Sequence, residues 1–417
     1  MPRPGHCGAL AYGVALALLL CVSGCAQKPD PTRVIVIGLD GATWDVARPM
    51  LAAGELPHLQ ALIGRGVTAT PVGEAPLFAP VVWTTLFSGV PPSQHGVANW
   101  ALAGAGYRRV PALWSRLDAA GRAAVLVNVP GTWKAEPLEK GIVVADVGMA
   151  RGYVGGAGGG AFFAVGAATL PAPYEQLANL LRLVTAPLEI GEWSDWVDVD
   201  DDAVEASVLR VKRLDATRAF VSPMYARDLG KGAIAPKEVA DELATYLGVP
   251  YVREGPAWSA YGDGEVPAIF SEHLGQTTDV QVAAAHALLK KKPWDLFVFV
   301  DPLPDRIEHA HWVDHPERVR AAYHAADAHL GDFVKHAPNA WVVVVSAHGF
   351  GPNPGHPRGD HAPAGMLVIA GPGLSGDAGE IPLVDVAPTL ACLLGLAADG
   401  MSGTTLAAVR NGRPGCR

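Results

Sequence analysis

Short runs of β-branched and aromatic residues recur along the chain and alternate with stretches whose composition is typical of helices. The first run, RVIVIGL at residues 33–39, is almost continuously apolar, as expected of a strand covered on both faces. Comparable runs are AAVLVNV, GIVVADV, DLFVFVD, WVVVVSA and MLVIAG. Strands separated by helices predict an α/β fold with a doubly wound, mostly parallel sheet.

The alternation loosens in the middle of the chain, where glycines and scattered tryptophans replace the strand runs. The chain has 417 residues, of which 50% are hydrophobic, so it is long enough for one large core or two modest ones. We expect a short linker at 25–32, a core at 33–150 and 286–408, a cap inserted at 151–285, and a flexible tail at 409–417.

The N-terminus has the pattern of an export signal. Arg3 precedes an apolar run, and small residues precede Cys25. VSGC at 22–25 resembles the lipobox of bacterial lipoproteins, which implies removal of residues 1–24 and lipidation of Cys25. The uncharged Ala26-Gln27 is compatible with anchoring in the outer membrane, facing the periplasm. The alternatives are an ordinary secretory peptide and an uncleaved anchor.

Charge and cysteine content exclude several classes of protein. A formal net charge of -9 gives no attraction to nucleic acid or to an anionic membrane surface, so we expect membrane contact through the lipid anchor alone. Outside the N-terminal segment only Cys392 and Cys416 remain, too few for a disulfide framework. Cys392 lies in an apolar stretch and is expected in the core, and a single bridge to Cys416 stays open.

Four segments place carboxylates or imidazoles just after predicted strands: Asp40 in GLDG, Asp305 and His309 in DPLPDRIEH, His348 in SAHGF, and His361 in GDHAPAG. In open α/β sheets, ligands bind at the carboxyl ends of the strands. Asp and His are the usual ligands of zinc or manganese, and the Asp-x-x-x-His spacing puts both groups on one helical face. Together the five residues predict a metal site.

The motifs around these residues resemble those of a known family. VIVIGLDGATWD, PLFAPVVWTTLFSGVPPSQHGV, SAHGF and DVAPTLACLLGL are similar to segments of the type I phosphodiesterase and nucleotide pyrophosphatase family, in the alkaline phosphatase superfamily. LWSRLDAAG, VNVPGTW and GEWSDW resemble segments of its bacterial branches. The resemblance spans nearly the whole mature chain and implies an alkaline phosphatase-like fold and activity on phosphoric esters.

Members of that family hold phosphate with two metal ions and attack phosphorus with a Ser or Thr at the start of a helix. The resemblance therefore implies Zn²⁺ or Mn²⁺ as cofactor and a phosphate ester as ligand. Carried over position by position, it assigns Asp305, His309 and His361 to one metal site, Asp40 and His348 to the other, and Asn99 to phosphate binding.

Two positions depart from the family pattern. Counting back from Ser88-Gly89, the nucleophile position falls on Ala79, whose methyl group cannot attack phosphorus. Ala347 in SAHGF stands where the family has a ligand Asp. The second metal site therefore loses a carboxylate, and its affinity should fall.

Neighbouring polar residues are poor replacements. Thr84 and Thr85 lie more than a helical turn beyond Ala79, so their hydroxyls should point away from the metal site. His356 and Asp360 precede His361 in a predicted loop, from which they either reach the second metal or are simply solvated. Solvation is the favoured alternative.

Two functions compete on these grounds. One is a phosphoric ester hydrolase that uses the intact metal site and a metal-activated water. The other is a catalytically inactive, lipid-anchored pseudoenzyme that acts as a binding or scaffolding protein. The two losses favour the second, since by the family's mechanism each should cost on the order of a thousandfold or more in rate. The five retained ligands favour a bound metal over a polar network without an ion.

Overall fold

The computed structural model describes residues 33–99, 105–146, 161–170, 174–201, 204–223, 225–226, 232–248, 266–353, 355–413 and 416. The expected signal peptide, Cys25 and most of the linker lie outside these ranges, so they stay predictions. Within the ranges, no helix combines the length and the apolar composition needed to cross a bilayer.

The strands are β1 (Arg33–Leu39), β2 (Gly66–Val72), β3 (Ala124–Val129), β4 (Ile142–Ala145), β5 (Ala161–Ala164), β6 (Val197–Asp201), β7 (Val204–Leu209), β8 (Val211–Arg213), β9 (Arg218–Val221), β10 (Tyr225–Ala226), β11 (Ile234–Ala235), β12 (Leu296–Asp301), β13 (Ala340–Val345), β14 (Gly349–Asn353), β15 (His356–Ala362), β16 (Leu367–Ala370) and β17 (Gly376–Pro382). The helices are α1 (Trp44–Ala52), α2 (Pro57–Ile63), α3 (Ala79–Ser88), α4 (Pro92–His95), α5 (Leu113–Ala119), α6 (Ala178–Thr185), α7 (Glu238–Leu247), α8 (Ala268–Lys291), α9 (Leu303–His311), α10 (Pro316–Lys335), α11 (Val386–Leu394) and α12 (Ala407–Gly412).

A nine-stranded sheet forms the centre, in the order β11-β4-β3-β12-β1-β13-β16-β2-β17. The five strands from β4 to β13 in this order are parallel, whereas β16 is antiparallel to both of its neighbours and β11 is antiparallel to β4. Each of the six apolar runs in the sequence forms a strand of this sheet. The prediction of a mostly parallel sheet is confirmed.

Alternate residues of the central strands enter two cores, one on each face of the sheet. From β1, Ile35 and Ile37 pack with α1, α2, α8 and α10, and Val34 and Val36 pack with α3, α5 and α11. All four side chains are fully buried. Helices on both faces explain why these strands are apolar throughout and not alternately polar.

The cap has a core of its own, but the cap spans fewer residues than the sequence suggests. Strands β5-β9-β8 and β10-β7-β6 form two small sheets, and Leu181, Leu209 and Val221 belong to a separate apolar cluster. The chain then rejoins the main sheet through β11. Phe270 of α8 already packs in the main core. The expected boundary at residue 285 falls inside α8, because this helix buries apolar residues along most of its length.

The C-terminal segment also differs from the expected flexible tail. Helix α12 continues to Gly412, and Val409 is fully buried in the core that also contains α3 and α11. Cys392 is buried in α11, as expected, and forms a disulfide with Cys416. The bridge that the sequence left open is therefore present.

Asp301, the last residue of β12, connects the sheet to the helices that follow it. One of its carboxylate oxygens accepts the backbone N–H of Leu303 at 3.0 Å, and the other lies 2.8 Å from Nδ1 of His329 in α10. Burial opposes protonation of His329, but the carboxylates of Asp279 and Asp301 raise its pKa to about 10. This ion pair ties the start of α9 to α10.

Candidate metal and phosphate site

Asp40 lies at the carboxyl end of β1 and is buried. Its backbone N–H donates to the carbonyl of Asp301 at 3.0 Å, and its own carbonyl accepts the backbone N–H of Asp305 at the same distance. The ends of the adjacent parallel strands β1 and β12 thus place Asp40 beside α9. The indole Nε1 of Trp83 donates to Asp40 Oδ1 at 2.7 Å.

Helix α9 carries Asp305 and His309 one turn apart. Their spacing puts both on one face, as the sequence predicted, with 3.6 Å between Asp305 Oδ1 and His309 Nε2. Both side chains are almost fully buried. The helix starts immediately after β12, so the sheet edge fixes where this pair lies.

His361 reaches the pair from the β14–β15 hairpin, and not from a loop after a strand as expected. Its Nδ1 donates to the carbonyl of Leu77 at 2.7 Å, which leaves Nε2 facing α9. That nitrogen lies 3.0 Å from Asp305 Oδ1 and 2.9 Å from His309 Nε2. A carbonyl partner on the other ring nitrogen is the usual way in which proteins orient a metal-binding histidine.

His348 follows β13 and is fully buried. Its Nδ1 lies 3.1 Å from the carbonyl of Gly349, which orients Nε2 toward Asp40 Oδ1 at 3.2 Å. This close approach lacks hydrogen-bond geometry, so among the described residues Nε2 has no hydrogen-bond partner. The ring also lies against His361, with 4.0 Å between the ring centroids. A buried nitrogen in this position fits a metal ion.

Electrostatics favour a cation in the cluster. Burial opposes ionisation of Asp305, but His309 and His361 hold its pKa below the ordinary value. Burial favours neutral His361, yet the carboxylate of Asp305 raises its pKa to about 9, whereas burial lowers the pKa of His309 to about 3. The ionised carboxylate of Asp305 thus favours a proton on the neighbouring imidazole of His361. A metal ion would take the place of that proton, since both bind the same lone pair.

The structure brings all five predicted ligands together: Asp305, His309 and His361 form one group, and His348 Nε2 lies 3.2 Å from Asp40 Oδ1. Ligand atoms of Asp305, His348 and His361 lie within 4.8 Å of one another, so His348 approaches the residues assigned to the other metal. Imidazole nitrogens with a carboxylate oxygen suit zinc or manganese. The donor set therefore fits the implied metal.

Ala79 is the first residue of α3 and is 5% exposed. The hydroxyls nearby are engaged elsewhere, as expected. Thr84 donates to the carbonyl of Pro80 at 2.6 Å, and Thr85 lies 3.1 Å from the carbonyl of Val81. The loss of a nucleophile at Ala79 stays a prediction from the resemblance.

Ala347 is fully buried within the apolar core on the α3 side of the sheet. Asp360, one candidate to replace the carboxylate that the family pattern has at position 347, has both oxygens engaged within the hairpin. One accepts the backbone N–H of His361 at 2.8 Å, and the other accepts the side-chain amide of Asn353 at 3.2 Å. The side chain of His356, the other candidate, lies outside the description. Asn99 lies in an exposed bend after α4, and its role in phosphate binding stays a prediction.

Sequence reasoning missed Trp83, although the sequence contains a signal for it. Gly38 interrupts the apolar run of β1, and a glycine inside a strand marks close approach by another group. A Cβ at Gly38 would lie 2.5 Å from Cη2 of Trp83. The glycine therefore makes room for the indole that contacts Asp40.

Glu308 was also missed. It is fully buried on α9, its Oε1 accepts the hydroxyl proton of Tyr323 at 2.9 Å, and that hydroxyl accepts the backbone N–H of Thr43 at 2.8 Å. Burial and the neighbouring Asp305 raise the pKa of Glu308 well above its ordinary value. The chain of bonds connects α9, α10 and the segment after Asp40.

With the site described, its relatives can be compared. The family model of type I phosphodiesterase / nucleotide pyrophosphatase matches residues 34–362. The chain belongs to this family. The resemblance to this family inferred from the motifs is thereby confirmed. No curated protein sequence matches the chain.

Several solved structures are similar in fold. Phosphonoacetate hydrolase from Sinorhizobium meliloti 1021, in complex with phosphonoacetate, is 17% identical with a TM-score of 0.38; the match covers 78% of this chain and 58% of that one. An inactive variant of murine ectonucleotide pyrophosphatase / phosphodiesterase 5 in complex with AMP is 12% identical, with a TM-score of 0.46 and 91% and 99% coverage. Wild-type alkaline phosphatase PafA is 11% identical, with a TM-score of 0.48 and 91% and 98% coverage.

Proposed function

We propose that this chain binds a phosphoric ester at a metal-loaded site and forms no covalent phospho-enzyme. The observation that carries the proposal is Ala79 at the start of α3. Leu77, two residues earlier, accepts the Nδ1 proton of His361 at 2.7 Å, so the start of α3 is tied to the imidazole cluster. Ala79, which the resemblance assigns to the nucleophile position, has no hydroxyl. A covalent step through this position is therefore ruled out.

Binding would rest on the residues that are retained. Asp305, His309 and His361 hold the metal ion in this proposal, and a bound ion supplies charge that stabilises phosphate oxygens. The start of α3 adds the positive end of a helix dipole close to the same place. The family match over residues 34–362 supports a phosphoric ester as the ligand of this chain.

The test is a calorimetric titration of inorganic phosphate into the mature protein, once loaded with Zn²⁺ and once stripped with a chelator. Phosphate should bind only to the zinc-loaded protein. Hydrolysis of bis(p-nitrophenyl) phosphate should not exceed that of zinc in buffer. Binding should disappear in Asp305→Asn and persist in Asp332→Asn, which changes an exposed acid on α10. Turnover with a phosphorylated protein in acid-quenched samples would contradict the proposal.

We also propose that the protein is exported and anchored by a lipid on Cys25. The Cys392–Cys416 disulfide supports an oxidising compartment, where such bonds persist. Palmitate labelling of producing cells tests the anchor: the wild-type chain should carry the label, and Cys25→Ser should lose it. Equal labelling of both, or of neither, would contradict the anchor.

A further inference from the structure

The turn at residues 40–43, called the Asp40 turn below, is pressed against the helix that carries Asp305. Its first residue, Asp40, accepts the backbone N–H of Asp305 at 3.0 Å. Its second residue, Gly41, has a φ of +75° and lies so close to α9 that a Cβ there would be 2.8 Å from the Cα of Asp305. The placement of this turn on α9 therefore decides how the carboxylates of Asp40 and Asp305 lie relative to each other.

A buried chain of hydrogen bonds holds the other end of the Asp40 turn. The backbone N–H of Thr43 donates to the hydroxyl of Tyr323 at 2.8 Å, and that hydroxyl donates to Oε1 of Glu308 at 2.9 Å. All three residues are buried, so these bonds are made in a low dielectric and away from competing water. The turn is thus fastened to α9 at both of its ends, directly through Asp40 and by way of α10 through Thr43.

The second carboxyl oxygen of Glu308, Oε2, has no hydrogen-bond partner among the described residues. It faces the Asp40 turn, since a Cβ at Gly41 would lie 2.5 Å from it. A buried polar atom without a partner lowers stability, and an apolar side chain of similar size would avoid that loss. Stability alone therefore does not account for a carboxyl group at this position.

We propose that Glu308 and Tyr323 are positioning residues, which fix the Asp40 turn on α9 and thereby set the carboxylate of Asp40 relative to that of Asp305. Neither residue contacts the metal ion or the phosphoric ester in this assignment. The inference rests on the proposed function in one respect, because it takes a metal ion bound through Asp305 as given. It adds two residues outside the ligand set whose loss should weaken the binding of that ion.

The first test measures Zn²⁺ affinity by competition with a chromophoric chelator. Tyr323→Phe keeps the ring and removes the hydroxyl, and it should weaken zinc binding about tenfold, the lower end of the cost of losing a residue that orients metal ligands. Glu308→Leu should have a similar effect. Glu308→Gln can still accept the tyrosine proton and should restore the affinity of wild type. Unchanged affinity in both Tyr323→Phe and Glu308→Leu would overturn the proposal.

Asp327→Ala controls for a general loss of stability. Asp327 lies one turn after Tyr323 on α10, and its carboxylate accepts the backbone N–H groups of His58 and Leu59 at 3.1 and 2.8 Å. Its removal should lower the urea concentration at which half of the protein is unfolded, but zinc affinity should not change, because α2 carries none of the ligands. An equal loss of zinc affinity in Asp327→Ala and Tyr323→Phe would reduce Tyr323 to a structural role and overturn the proposal.

Hydrogen exchange in the metal-free protein gives a reading that does not depend on zinc. The backbone N–H of Asp305 donates to the carbonyl of Asp40, so its exchange reports on the contact between the Asp40 turn and α9. Relative to the amides of β3 in the same protein, it should exchange faster in Tyr323→Phe than in wild type, and not faster in Asp327→Ala. The same relative rate in Tyr323→Phe and wild type would overturn the proposal, even if Glu308→Leu does not fold.

This inference and the proposed function fail in different ways. A wild-type chain that binds zinc but no inorganic phosphate contradicts the proposed function alone. Variants Tyr323→Phe and Glu308→Leu that bind zinc as tightly as wild type overturn the positioning role alone. A wild-type chain that binds no zinc contradicts both.

Discussion

Adding a hydroxyl at position 79 and a carboxylate at position 347 together should create a hydrolase. Ala79→Ser places a hydroxyl at the start of α3, and Ala347→Asp adds a carboxylate next to His348. Loss of the covalent route was expected to cost on the order of a thousandfold in rate, or about 4 kcal/mol of transition-state stabilisation. The double variant should recover most of this. Each single variant should recover little, because the nucleophile and the second ion act as one unit.

The carboxylate introduced by Ala347→Asp should lower the stability of the protein, so stability is measured together with activity. Ala347 is fully buried, so an Asp there without a metal is an unpaired buried charge that costs several kcal/mol. Zinc should offset this cost, and the melting temperature of the double variant should rise more with zinc than that of wild type.

Hydrolysis of bis(p-nitrophenyl) phosphate is followed at saturating zinc, after circular dichroism has shown that each variant is folded. Ala79→Ser with Ala347→Asn is the control, since it has the same shape without the charge and should stay near wild type. A double variant that is folded, holds two ions and is no faster than wild type would contradict this prediction.

Three further predictions concern stability. Gly38→Ala should lower the free energy of unfolding by about 1–3 kcal/mol, because the new methyl group overlaps the indole of Trp83, and urea unfolding measures it. Cys416→Ser should cost ~3 kcal/mol through the lost disulfide, and reducing agent should destabilise wild type but not this variant. His329 has its pKa raised to about 10 by Asp279 and Asp301, so its contribution is complete below its unfolded pKa and is lost as pH rises toward 10. Wild type should therefore lose more stability between pH 7 and 10 than His329→Gln, and equal losses in urea titrations would contradict this.

Much of the site can be predicted from the sequence because the order and direction of the strands bring its residues together. Asp40, Asp305 and His348 follow apolar runs that form adjacent parallel strands, and the ends of such strands meet at one edge of the sheet. The Asp-x-x-x-His spacing then places His309 on the same helical face as Asp305. Local patterns therefore sufficed to collect four of the five predicted ligands.

Contacts between side chains that are distant in the sequence could not be predicted from local patterns. The contact between Trp83 and Asp40 joins residues 43 positions apart, and only Gly38 hinted at it. The approach of His348 to His361 depends on how the β14–β15 hairpin folds over the sheet edge. Strand β17 was also missed, because it pairs at the edge of the sheet and is mostly exposed, so its sequence has no apolar run.

The proposed metal and phosphate site is tested most directly by a crystal structure of the wild-type mature protein with zinc and inorganic phosphate, with diffraction collected at the zinc absorption edge. We expect an anomalous peak between Asp305, His309 and His361, with phosphate bound to that ion and no covalent link to the start of α3. An empty cluster, with zinc and phosphate elsewhere or absent, would contradict it.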